Sequence, residues 1–235
     1  MSNSKNILKS TKQFIAKYRH GIPLLVYVII YLSWFAHLEQ TVTKHYKVIH
    51  MDIDDYIPFC EIFVIPYFLW FGYIAVTVLY FFFKNKEDYC KTCIFLFTGM
   101  TIFLIISTLW PNGHHLRPVV MPRENIFTDM IQSLYRTDTA TNLWPSIHVY
   151  NSIGAHLAIS RSKEFAGKPL VRMGSLLLAA SIVLSTMLIK QHSVFDVLTA
   201  FVLAAVMYLI VYRYNLLEVM REIRGKRKAK PSMQA

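Results

Sequence analysis

The chain reads as an all-α, polytopic membrane bundle of six spans, and three observations lead there. Its apolar residues, 54% of 235, fall in long blocks nearly free of charge, which is too apolar for an ordinary soluble domain. Basic residues collect at the ends of those blocks, as they do beside membrane spans. One block carries His148, Asn151, Ser152 and His156, polar residues that lipid would penalise and that therefore face a bundle interior. A net charge of +11 raises the question of nucleic acid, but its placement argues against that partner, and no stretch resembles a nucleic-acid module.

Residues 1–21 are polar and basic, and residues 22–36 follow as an apolar run. No small-x-small cleavage site follows that run, so it is expected as an uncleaved first span with Trp34 as an interfacial anchor. A polar loop containing Glu39, Asp52, Asp54 and Asp55 leads to a second span over 57–83, which Pro66 is expected to kink and near whose outer end Glu61 reaches the interface. A charged turn over 84–91 precedes the third span, 93–109.

The longest interruption, 110–145, is rich in Pro, Asn, Arg and His. Within it Ile126, Phe127, Met130, Ile131 and Leu134 recur at helical spacing, which predicts an amphipathic helix lying on the membrane surface. The fourth span is expected over 146–160, and the fifth and sixth over 173–189 and 194–212, separated only by a polar turn around His192. Residues 213–235 read as a basic, fraying tail. Cys60, Cys90 and Cys93 read as plain thiols, since a single CxxC without a partner pair or a nearby histidine does not make a zinc site.

Six spans put both termini on one side, and the lysines and arginines choose which. The N-terminal segment holds five, the 84–92 turn three, residues 160–172 four and the tail seven, nineteen in all, against six in the opposite loops. Both termini are thus expected in the cytoplasm, with the domain (22–212) in the cell membrane and the 110–145 loop and His192 turn on the outer face.

That topology gathers reactive residues at one face. His192 and Asp196 are four apart, so a carboxylate one turn from an imidazole can hold its tautomer and make the other nitrogen more basic. The blander alternative is that Asp196 only complements a helix N-terminus while His192 sits in a polar loop. Trp144-Pro145-Ser146-Ile147-His148 opens the fourth span. Two span starts could cradle an anion, Arg117 could clamp it, and Lys190 could add a point charge. Two histidines flanking an anion suit phosphoryl transfer through an enzyme–histidine intermediate. His114 and His115 read as a solvated loop pair, His156 as an interior hydrogen-bonding residue, and Trp110 and Trp144 as interfacial belt residues. A metal held by His148, His192 and Asp196 is the competing use of the same side chains, disfavoured by the cations beside them.

At these residues the chain resembles the type-2 phosphatidic acid phosphatase superfamily of membrane lipid phosphatases and phosphotransferases. Arg117-Pro118 is similar to the end of its first motif, Pro145-Ser146-Ile147-His148 to its PSGH motif, and the stretch from Ser185-Thr186 through His192 to Asp196 to its third. The resemblance implies that His192 accepts the phosphate, Asp196 activates it, His148 protonates the leaving oxygen, and Arg117 and Ser146 hold the phosphate, without metal or cofactor. Three positions depart from the pattern: Trp110 stands where a lysine is expected, Ile147 replaces glycine, and Thr186 replaces arginine. Lys190 is the nearest replacement cation. Similar departures occur among inositol phosphorylceramide synthases, which pass a headgroup to a lipid alcohol. The expected activity is therefore hydrolysis of a lipid phosphomonoester or diphosphate. Headgroup transfer, and non-enzymatic binding or transport of anionic headgroups, are the alternatives.

Overall fold

The computed structural model describes residues 18–229, so most of the basic N-terminal segment and the last six residues lie outside the described residues. Nine α-helices occur among them: α1 (Ile22–Thr41), α2 (Asp52–Tyr56), α3 (Val64–Lys84), α4 (Lys86–Leu109), α5 (Ile126–Thr137), α6 (Ile147–Arg161), α7 (Pro169–Leu188), α8 (Val194–Tyr208) and α9 (Leu216–Ala229). The extended backbone is a two-residue parallel ladder, β1 (Lys47–Val48) with β2 (Asn112–Gly113), which ties the loop after α1 to the loop after α4. Three-residue 3₁₀ turns lead into α1 and α3, and a π-helical turn, Leu209–Arg213, prolongs α8.

Helix starts follow the local chemistry. The Asn85 side chain accepts from Glu87 N and Asp88 N at the head of α4, and Asn125 with Thr128 forms a capping box at the head of α5. Pro66 falls in the first turn of α3, where its missing N–H costs nothing.

Among the described residues, five helical stretches are long and apolar enough to cross a membrane: Arg19–Thr41, Glu61–Lys84, Lys86–Leu109, Pro169–Leu188 and Val194–Arg213. Helix α6 falls short of that measure. Its 15 residues reach about 22 Å at 1.5 Å per residue, and they sit in the middle, packed on α3, α4, α7 and α8. This explains its mixed composition. Gly154, Ala155 and Ala158 let neighbours approach closely, while Tyr150 stacks on Phe95 and donates to its carbonyl at 2.7 Å. Gly99 of α4 faces the Tyr150 ring so closely that a Cβ would collide with it.

Two expectations need correction. Helix α5 exists, but its apolar stripe is covered by protein: Phe127, Met130, Ile131 and Leu134 pack on Val64 and Tyr67 of α3 and on Ile189. Only Ile126 at its head remains strongly exposed. The same periodicity serves lipid or a protein groove, and here the groove is the larger apolar surface within reach. The tail does not simply fray either, because α9 forms, with Arg221 reaching Glu87 at the start of α4.

Candidate functional site

The starts of α6 and α8 meet. Ser146 is the N-cap of α6, fully buried, its Oγ accepting Val149 N at 3.4 Å, and its own N–H donates to Asp196 O at 3.3 Å. That pairing sets the starts of α6 and α8 side by side. His148, at the second helical position, lies with its ring centroid 5.9 Å from that of His192. His148 stacks on Tyr67 at 4.5 Å and lies tilted against Trp70 at 4.2 Å, two rings one turn apart on α3. It is only 9% exposed, yet neither ring nitrogen has a hydrogen-bond partner. Buried polar atoms in folded proteins are almost always paired, so an imidazole with two orphaned nitrogens points to a site whose ligand is not part of the chain.

His192 immediately precedes Ser193, the N-cap of α8. Its Nδ1 lies 3.4 Å from Asp196 Oδ2, and the same oxygen accepts Ser193 N at 3.0 Å. Both readings of Asp196 therefore hold at once: it completes a capping box and backs the imidazole. With Nδ1 turned to the carboxylate, Nε2 is the nitrogen left free among the described residues. Burial, with the Arg117 charge nearby, pushes the His192 imidazole down to about 3, so the ring is neutral over the physiological range.

Arg117 reaches the same place but is not an open clamp. Its Nη1 donates to Tyr135 O and Asp138 O, and its Nη2 to Thr139 O and to the side-chain oxygen of Gln191. Its guanidinium also lies over the Tyr135 ring at 4.3 Å, leaving only Nε without a partner. The carbonyls released at the C-terminus of α5 are what it satisfies, a common use of a cation at a helix end. Beside it, burial lifts the Asp138 carboxyl to about 6 against the lowering pull of Arg117.

Lys190 is likewise engaged away from the histidines. Its Nζ donates to Asp54 O at 2.8 Å and Ile57 O at 2.6 Å. The start of α8 is closed to an outside anion as well. Val194 N is taken by Asp54, Phe195 N by Ser193 Oγ, and Ser193 N by Asp196. The start of α6 differs: the N–H groups of Ile147 and His148 have no partner among the described residues. Of two span starts expected to cradle an anion, one remains available.

Several contributors carried no signal in sequence. Gln191 is 1% exposed and links Arg117, Asp138 and His114. His114 is not a solvated loop residue: its Nε2 donates to Gln191 O at 2.9 Å, and its Nδ1 accepts Leu116 N at 3.1 Å. Burial, with the Arg117 charge nearby, brings it down to about 4 against the raising effect of its hydrogen bond to Gln191 O. His115 beside it is exposed, as expected of a loop residue. Trp144 donates to Thr199 Oγ1 and packs on Phe195, whereas Trp110 is exposed. Cys60, Cys90 and Cys93 are free thiols. Compared with known proteins, the chain matches no family model, no curated protein and no solved structure, so the chemistry of this site is read from its own geometry.

Proposed function

We propose that the protein is an integral-membrane lipid phosphate phosphatase that works through a phosphohistidine on His192. One observation carries the reading: two buried imidazoles face each other across 5.9 Å, one backed by a carboxylate and the other with both nitrogens unpaired. In this scheme α6 is the short, protein-enclosed fourth span. The basic flanks put the termini in the cytoplasm and the site at the outer face, where a substrate keeps its tail in the bilayer.

The lone pair of His192 Nε2 attacks phosphorus, forming a P–N bond as the bond to the lipid oxygen breaks. His148 gives its proton to that leaving oxygen. Water then attacks phosphorus, His148 takes the water's proton, and the P–N bond breaks to release inorganic phosphate. The free N–H groups at the start of α6, the one unpaired N–H of Arg117, and Ser146 at the cap are the donors offered to the phosphoryl oxygens in this scheme. Lys190 has no part in holding phosphate, since its ammonium is committed to two carbonyls.

A second reading keeps the phosphohistidine but transfers a headgroup to a lipid alcohol. The scarcity of free cations favours it, because a singly charged phosphodiester needs less compensation than a dianionic monoester. One experiment decides among these: a panel of radiolabelled lipid phosphates, diphosphates and phosphodiesters given to the purified protein, with His192→Ala as the blank. Released inorganic phosphate marks the phosphatase, and label on a second lipid marks the transferase. Turnover that persists in His192→Ala sinks both, and binding of the lipids without turnover in the wild type leaves a binder of anionic headgroups.

A further inference from the structure

The loop between α1 and α3 holds a carboxylate that is 1% exposed, Asp54 of the short helix α2. Asp54 Oδ1 accepts Val194 N at 2.8 Å, while Oδ2 accepts Ser193 Oγ at 2.6 Å and Met51 N at 2.9 Å. Its carbonyl, with that of Ile57, receives the Lys190 ammonium. The turn bearing His192 is thus gripped on both flanks by one short segment of the first outer loop, more than 130 residues away in the chain. On the far side Asp196 takes Ser193 N and faces His192 Nδ1.

We propose that Asp54 is the positioning residue for His192, holding the 190–194 turn so that Nδ1 meets Asp196 and Nε2 faces the space beside His148. This rests on the phosphohistidine reading for its kinetic consequence, but not for its structural one. Asp54 occupies the N-terminus of α8 with a fixed carboxylate, where a substrate anion would otherwise compete for the same donors. It touches no substrate. A buried carboxylate with three donors has no slack, so the imbalance left by its removal is taken up by the turn it holds.

The test compares Asp54→Ala, Asp54→Asn and Val194→Pro with wild type in nanodiscs. Val194→Pro deletes a single N–H of the brace at the first helical position, where proline is well tolerated, and Ser193 before it already has the extended backbone that proline requires. It keeps the question answerable if Asp54→Ala does not fold. The first readout needs no substrate: ¹⁵N imidazole resonances of His192, assigned by their loss in His192→Gln, with His156 as internal control. Wild type is expected to show a single Nδ1–H tautomer for His192. Asp54→Ala is expected to add the Nε2–H tautomer, and the other two variants to show a smaller admixture. The second readout is steady-state kinetics on whichever lipid the wild type turns over. The expected pattern is a kcat loss of about 10²-fold for Asp54→Ala and less for the others, with KM held within about twofold. A His192 signature unchanged in Asp54→Ala and Val194→Pro overturns the brace. Absence of turnover in wild type, with the tautomer shift present, condemns the phosphatase reading and leaves the brace standing.

Discussion

Helix α6 carries two histidines eight residues apart, and the protein treats them differently. His156 is half-buried and satisfied, with Nδ1 3.1 Å from Ser175 Oγ, which in turn lies 2.6 Å from the Tyr73 hydroxyl. His148 is held between the Tyr67 and Trp70 rings with no partner for either nitrogen. Both imidazoles lie on the same helix, so their place in the chain does not separate them. What separates them is completeness. A polar residue whose bonds are closed by its own chain helps hold the bundle, whereas one left open inside a dry interior awaits a group from outside.

The widest gap between the two should appear in turnover. His148→Ala is expected to lower kcat by roughly 10²–10⁴-fold, the range of a lost general acid, while fold and lipid binding persist. Phosphate should then accumulate on His192 as acid-labile label in a quenched reaction. Equal activity in His148→Ala and wild type would erase the distinction.

Acid sharpens the contrast next. His114 and His192 sit at about 4 and 3 instead of 6.5, so the unfolded chain binds protons that the folded one refuses. Stability is therefore expected to fall as pH drops from about 6.5 toward 4, by up to about 1.4 kcal/mol per pH unit for each fully resisting group. Asp138, lifted to about 6 from 3.8, has the opposite sign and offsets part of that loss over the same interval. Thermal unfolding in detergent from pH 7.5 to 4.5 checks this. His114→Gln, which retains a donor for Gln191 O, should flatten the acid limb.

The smallest effect belongs to His156. His156→Ala is expected to cost about 1 kcal/mol of stability for its one hydrogen bond and to leave kcat within about threefold of wild type. A hundredfold loss of activity there would move the functional boundary to the other end of α6.

Much of this layout was legible in the chain. The apolar blocks marked the helices, because long uncharged runs have few other solutions. The His192 to Asp196 spacing marked the carboxylate–imidazole pair, because residues four apart at a helix start stand one turn from each other. Helix α5 was legible as a helix but not in what it covers, since amphipathic spacing says that a face is apolar and not what meets it. Asp54 was one of three aspartates within four residues, with nothing local to mark it. Arg117 and Lys190 were visible as cations, but a charge in sequence does not disclose whether carbonyls will consume its donors.

By itself, then, the sequence determined where the helices lie and which reactive side chains stand at their starts, since both are set by residues close along the chain. The tertiary structure alone decided that His148 and His192 come within 5.9 Å, that Lys190 turns away, and that Asp54 closes the start of α8. Those outcomes depend on which of several competing polar partners arrives from segments up to 140 residues away, and in a dry interior the partner that arrives settles each donor's use.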